Sequence, residues 1–202
     1  MHITRPGWKN GPVVTYLDYM PTTKKHPRSK FYELLQAQIH NEFTASQQYV
    51  ALAVWFDNED LPQLAKHFYA QALEERNHAL ALVQYMLDTD HHVEIPGTGD
   101  IRNDFTDPRE LIELALDQEK EVAADIKALA KAARDEDDYT SEQFIQWFLK
   151  EQVEEISAMS TLLNVYDRAK GNLFEVERFL HRESVGEDAD DPTMPPVAGG
   201  KL

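Results

Sequence analysis

The sequence predicts an all-α protein: a four-helix bundle with one long crossover between helices two and three, plus a short C-terminal fifth helix. Three observations point there. Four segments of about 28 residues place apolar side chains at intervals of three and four, the repeat of a helix with one buried face. Three links between segments are short, near 58–60, 136–140 and 170–171, and short links make antiparallel neighbours. The remaining link, 89–107, contains Pro96, Gly97 and Gly99, and it can traverse a bundle whose helices run ~42 Å.

The first helix is expected over about 29–57 and the second over about 61–88, opened by Asp60 with Pro62 in its first turn. The third is expected over about 108–135. Asp107 is its cap, Pro108 takes the first helical position, and Glu110 completes a capping box. The fourth runs over about 141–169, capped by Thr140 with Gln143 three residues on, and it stops at Gly171. The fifth, about 172–183, holds "NLFEVERFLHRE".

These helices define one domain, 29–183, flanked by a flexible N-terminal extension, 1–28, and a flexible C-terminal tail, 184–202. Met20 is an alternative start within the extension. Formal net charge is -16, and residues 31–183 alone carry -18, which argues against nucleic acid or an anionic membrane as partner. The absence of cysteine excludes disulfides, thiolate zinc and iron–sulfur clusters. No apolar run approaches the ~18 residues of a membrane span, and no signal-like segment opens the chain, so a cytoplasmic location is expected.

Each apolar stripe is interrupted near its middle. Helix one reads Leu35, Ile39, Glu42, Ser46, Tyr49, Ala53; helix two Leu64, Phe68, Gln71, Glu75, His78, Leu82. Helix three reads Ile112, Ala115, Glu119, Val122, Ile126; helix four Ile145, Phe148, Gln152, Glu155, Met159. One inward glutamate is usually a snorkelling side chain, and one inward histidine is usually a hydrogen-bonded core residue. Four interruptions at one level are different, because uncompensated buried carboxylates cost several kcal/mol each. A bound cation offsets that cost, and no Lys or Arg falls on these central positions to do so. Glu42 to Glu75 and Glu119 to Gln152 are both 33 residues, and adding 77 to Glu42, Glu75 and His78 gives Glu119, Gln152 and Glu155. The halves read as a duplicated hairpin around a metal site, and glutamate oxygens with one imidazole suit iron or manganese. A neutral amide at Gln152 should weaken one of two metal positions, which suits metal in transit.

The segments "QIHNEFTASQQY", "ALEERNHA", "ALDQEKEV" and "KEQVEEISAM" resemble the ferroxidase segments of ferritins, specifically bacterial non-haem ferritins, over about residues 31–183. The resemblance implies a ferritin-like fold and a di-iron centre. Glu42, Glu75 and His78 would bind the first iron, with Glu75 bridging to a second held by Glu119 and Gln152. Tyr49 would stand beside the centre as electron donor or hydrogen-bond partner. Glu74, Glu151, Glu154 and Glu155 match a third iron site; their other reading is a solvated acidic face. The resemblance further implies intracellular iron storage and detoxification: oxidation of Fe(II) by O2 and ferric mineral in a cage of 24 subunits, with helix five near the fourfold axes.

Haem-binding relatives place a methionine where this chain has Arg76, so no haem is expected. Glu142 alone matches the acids that line the entry channel of animal ferritins, with Ile145 where a second would stand. Two other readings are a di-iron oxidase of an organic substrate and a catalytically silent scaffold or cargo protein. The tail "SVGEDADDPTMPPVAGGKL" has a further reading: its "PPVAGGKL" end, anchored by Val197 and Leu202, docks inside an encapsulating protein shell.

Overall fold

A computed structural model describes residues 29–183 and 191–201. Five helices follow in order: α1 Lys30–Asn58, α2 Pro62–Asp88, α3 Pro108–Asp135, α4 Tyr139–Ala169 and α5 Leu173–Glu183. α1 packs on α2 and α3, α3 packs on α4, and α5 rests against α2 and α4. The predicted elements are present, each end within two residues of its expected place and α3 matching at both.

The helix ends correct part of the capping assignment. Asp60 does not cap α2; it holds a left-handed turn (φ 57°), as do Asp90 and Asp137 just beyond α2 and α3. A short polar side chain tolerates that conformation better than most non-glycine residues do. The free N–H groups of α2 are taken instead from far along the chain, since the Glu177 carboxylate of α5 accepts from Gln63 N at 3.0 Å and Leu64 N at 2.8 Å. Likewise Glu136, just past α3, accepts from Lys30 N and from the Ser29 hydroxyl at 2.6 Å, closing α1. Asp107 caps α3 by accepting from Arg109 N at 2.8 Å, but Glu110 is drawn out of any capping box by the Arg102 guanidinium at 2.7 Å. Asp138, not Thr140, caps α4, accepting from Ser141 N at 3.0 Å. α4 ends at Ala169 with Lys170 (φ 51°) as its left-handed cap, one residue before the expected stop at Gly171 (φ 83°).

The crossover is not a free span. It is tied to one row of α1: Gln36 exchanges two hydrogen bonds with the Glu94 backbone, and Gln48 does the same with Arg102. Between them His40 meets Gly97 O at 2.7 Å, and Thr44 Oγ1 accepts from Gly99 N at 3.0 Å. A Cβ at Gly99 would stand 3.3 Å from the Thr44 methyl, so glycine allows the strap to lie this close. Residues 36, 40, 44 and 48 share one helix face, and their side chains satisfy backbone that has no ladder partner.

The core is split in two. One apolar cluster, with Tyr49, Phe56, Phe68, Ile112 and Met159, is closed by Val176 and Leu180 of α5. The other holds Phe31, Ile39, Leu82, Ile126 and Phe148. The polar layer of the bundle lies between them. Residues 191–201, expected as part of a flexible tail, fold back on the bundle. Trp147 Nε1 donates to Asp191 at 2.9 Å, Ala198 N donates to Leu80 O at 3.2 Å, and Val197 and Ala198 pack on the second cluster. Two small apolar groups and an indole N–H supply partners that composition alone does not show. The N-terminal extension and Leu202 lie outside the described residues.

Candidate metal centre

α1 carries Glu42 and Tyr49 inward, α2 carries Glu75 and His78 one turn apart, α3 carries Glu119, and α4 carries Gln152 and Glu155. None of the six polar ligand candidates among them exceeds 5% exposure. The helix repeat forces this: the same stripe that buries Leu82 or Met159 must bury the polar residues between, because they share the face.

Among the described residues, three groups can each bring ligand atoms within 4.8 Å of one another: Glu42–Glu75–His78, Glu75–Glu119–Glu155, and Glu74–His78–Glu151–Glu155. Glu75 belongs to the first two, His78 to the first and third, and Glu155 to the second and third. The groups overlap the sequence expectation without repeating it. Glu155 reaches the second group as well as the third, and His78 joins the third. Gln152 is beside them, donating its amide to Glu155. Glu154 is not brought in; it is exposed and paired with Lys150 at 3.2 Å. Arg76 is exposed, its guanidinium 5.8 Å from the Phe43 ring centre. Ile145 is fully buried and Glu142 is held by Arg134 at 2.8 Å.

The donor set fits a cation. Glu42 Oε2, Glu75 Oε2, His78 Nε2, Glu119 Oε2, Gln152 Oε1 and Glu155 Oε1 are all buried without a hydrogen-bond partner. Six unmatched polar atoms on residues of one buried layer would be a severe fault in a structural core. His78 Nδ1 lies 3.5 Å from Glu75 and 3.7 Å from Glu155, too far for good hydrogen bonds. The electrostatics agree. Burial, then Glu119, Glu155 and Glu42, push the Glu75 carboxyl well above its ordinary range. Burial, then Glu119 and Glu74, do the same to Glu155. Burial also raises Glu119, opposed by the Tyr49 hydroxyl that donates to it. Burial and the neighbouring Glu119 keep Tyr49 protonated and hence a donor. A divalent ion held here would offset the burial and mutual repulsion that raise these carboxyls.

Two neighbours escaped the sequence reading. Gln38, 1% exposed, donates its amide to Glu42 Oε1 at 2.9 Å. Trp147 sets its ring against the His78 imidazole, with centroids 5.6 Å apart at 73°. The available signals were Gln38 four residues before Glu42 on one helix row, and Trp147 beside the stripe residue Phe148.

Residues 32–169 match the family model of the ferritin-like domain. The chain is 62% identical over 174 residues to ferritin BfrB of Mycolicibacterium smegmatis, covering 86% of this chain and 96% of that protein. Against a bacterial non-heme ferritin of Staphylococcus aureus it is 35% identical over 136 residues, 67% of this chain and 82% of that one. The fold matches an open-pore ferritin from the hyperthermophilic archaeon Archaeoglobus fulgidus, with a TM-score of 0.73 and 23% identity, over 76% of this chain and 95% of that one. With five helices in this topology and a buried glutamate–histidine layer at mid-bundle, the chain belongs to the ferritin family.

Proposed function

We propose that this protein stores iron by oxidising it: Fe(II) is bound within each bundle, oxidised by O2, and passed as ferric product to a mineral inside a protein cage. The observation that carries the reading is the set of six buried, unpartnered donor atoms at mid-bundle. Glu42, Glu75 and His78 hold the first Fe(II). Glu75, Glu119 and Glu155 hold the second, with Gln152, whose carbonyl is buried and unpartnered, next to Glu155. Sharing Glu75 keeps the two ions close, so that one O2 can draw an electron from each in a single encounter. Glu75 and Glu155 release their protons as Fe(II) enters. Tyr49 keeps its proton and steadies Glu119, leaving one oxygen of that carboxylate for metal. Glu74, His78, Glu151 and Glu155 form a third position on the way out of the pair. His78 and Glu155 each face two positions, so a small side-chain movement moves a ligand with the ion. One neutral ligand at the second position, Gln152, favours release over retention.

Ferritins form oligomeric cages, and the outward apolar side chains of this subunit suit one: Tyr139, Val153 and Phe174 are 70%, 69% and 80% exposed in the isolated chain. We assign 24 subunits with octahedral symmetry and α5 near the fourfold axes. A cytoplasmic location is proposed; among the described residues no helix is long and apolar enough to cross a membrane. Docking of "PPVAGGKL" inside a larger shell would first have to free Val197 and Ala198 from the bundle.

The test is stopped-flow oxidation of Fe(II) by Glu75→Ala, which should lose the rapid phase while the particle keeps its size. Oxidation at the parental rate by a correctly assembled Glu75→Ala protein would remove Glu75, and with it the paired-site reading.

A further inference from the structure

The two carboxylates related by the internal duplication are held by different donors. Glu119 takes the phenol of Tyr49, from across the bundle. Glu42 takes the amide of Gln38, from its own helix, at 2.9 Å. The duplication does not repeat either arrangement: 77 residues beyond Gln38 stands Ala115, and 77 beyond Tyr49 stands Ile126.

The orientation of Gln38 is fixed from outside. Asp125, exposed on α3, accepts from Asn41 Nδ2 at 3.0 Å. A carboxylate at that end means Asn41 must turn its NH2 group outward. The same NH2 group reaches Gln38 Oε1 at 3.3 Å. Gln38 therefore turns its carbonyl to Asn41 and its own NH2 to Glu42. Reversing either amide would set carbonyl against carboxylate. The chain of groups ends at Glu42, whose Oε1 is occupied and whose Oε2 is buried and unpartnered.

We propose that Gln38, aligned by Asn41 and Asp125, is a positioning residue of the centre: it occupies Glu42 Oε1 so that Oε2 alone is presented to the first metal ion. This rests on the reading of Glu42 as a ligand. An amide suits the task because it donates without titrating, so Glu42 is held in one orientation whether or not metal is bound. The relay reaches the surface at the α1–α3 groove, a cavity of about 230 Å³ lined by His40, Asn41, Gln118, Glu121 and Asp125. A residue on the outside of the bundle thereby sets the geometry of a ligand at its centre.

Co(II), added anaerobically, is the probe, because its visible absorption reports coordination without any oxidation. Gln38→Met, similar in shape and without a donor, should bind the first Co(II) about tenfold more weakly and alter its absorption bands, as loss of partners around metal ligands commonly does. Asp125→Leu should shift the spectrum in the same direction. Asp125→Asn, which still offers an acceptor to Asn41, should restore the parental spectrum. Asp125 is exposed, so its two variants carry the test if Gln38→Met fails to assemble. Spectra and affinities of Gln38→Met and Asp125→Leu superimposed on the parent would overturn the proposal. Glu42→Ala is the separate control: it should lose one Co(II) per subunit. If it loses none, the ligand reading fails and the proposal falls with it.

Discussion

Under the proposed function Glu75 carries two opposed roles in one side chain. For the metal-free fold it is a fault, since its folded carboxyl is raised well above the 4.5 of a free glutamate, by burial first and by Glu119, Glu155 and Glu42 after that. The sign follows directly. A group whose folded pKa is raised stabilises the fold in its protonated form, fully below the unfolded value near 4.5, and that contribution is lost as pH rises through the folded value. The metal-free protein should therefore lose stability as pH rises from about 4.5 toward neutrality. Glu75→Gln, a permanent mimic of the neutral form, should be more stable than the parent at neutral pH by about 1–3 kcal/mol and melt at a higher temperature, with little gain near pH 4.5. Saturating Zn(II) should reverse the order, because only the parent gains a charged ligand. Calorimetry of both proteins at the two pH values, with and without Zn(II), reads this. A variant no more stable than the metal-free parent at neutral pH would show that the buried charge costs nothing.

At the scale of elements, the bundle relies on ends that reach for each other. The opening turn of α2 has no side-chain cap of its own, and its N–H groups lean on Glu177 of α5. Glu177→Ala should cost about 1 kcal/mol, the usual worth of a helix cap, and lower the melting temperature by a few degrees. Glu75 lies twelve residues along α2 from Gln63, about 18 Å away, so Fe(II) oxidation in the assembled particle should keep its parental rate. Thermal unfolding and stopped-flow oxidation of the same preparation check both halves. A slowed centre would mean that α5 steers the metal layer and does not simply close α2.

The scale of the whole molecule adds what one subunit does not use. Phe174, 80% exposed on α5, belongs to neither apolar cluster among the described residues, where the buried α5 residues are Val176 and Leu180. Around a fourfold axis of the proposed 24-subunit cage four such rings would meet and be removed from water, at roughly 1.5–3 kcal/mol each. Phe174→Glu should therefore leave the helices folded but split or open the particle, seen as lower mass by light scattering with unchanged helical circular dichroism. A parental particle mass would place α5 away from the subunit contact.

The sequence by itself determined the helices, the crossover and the carboxylate layer. Helix and stripe share one period, so a break in the apolar pattern at Glu42, Glu75, Glu119 or Glu155 is a break at a known face and height of the bundle. Only the tertiary structure decided which polar groups meet across helices. The Glu177 cap on α2, the Glu136 closure of α1, Trp147 against His78 and the return of residues 191–201 join positions remote in sequence, where no period relates one to the other. The Asp125–Asn41–Gln38 relay is of the same kind. Its spacing on α1 is visible in the chain, but its direction is set by a carboxylate on another helix.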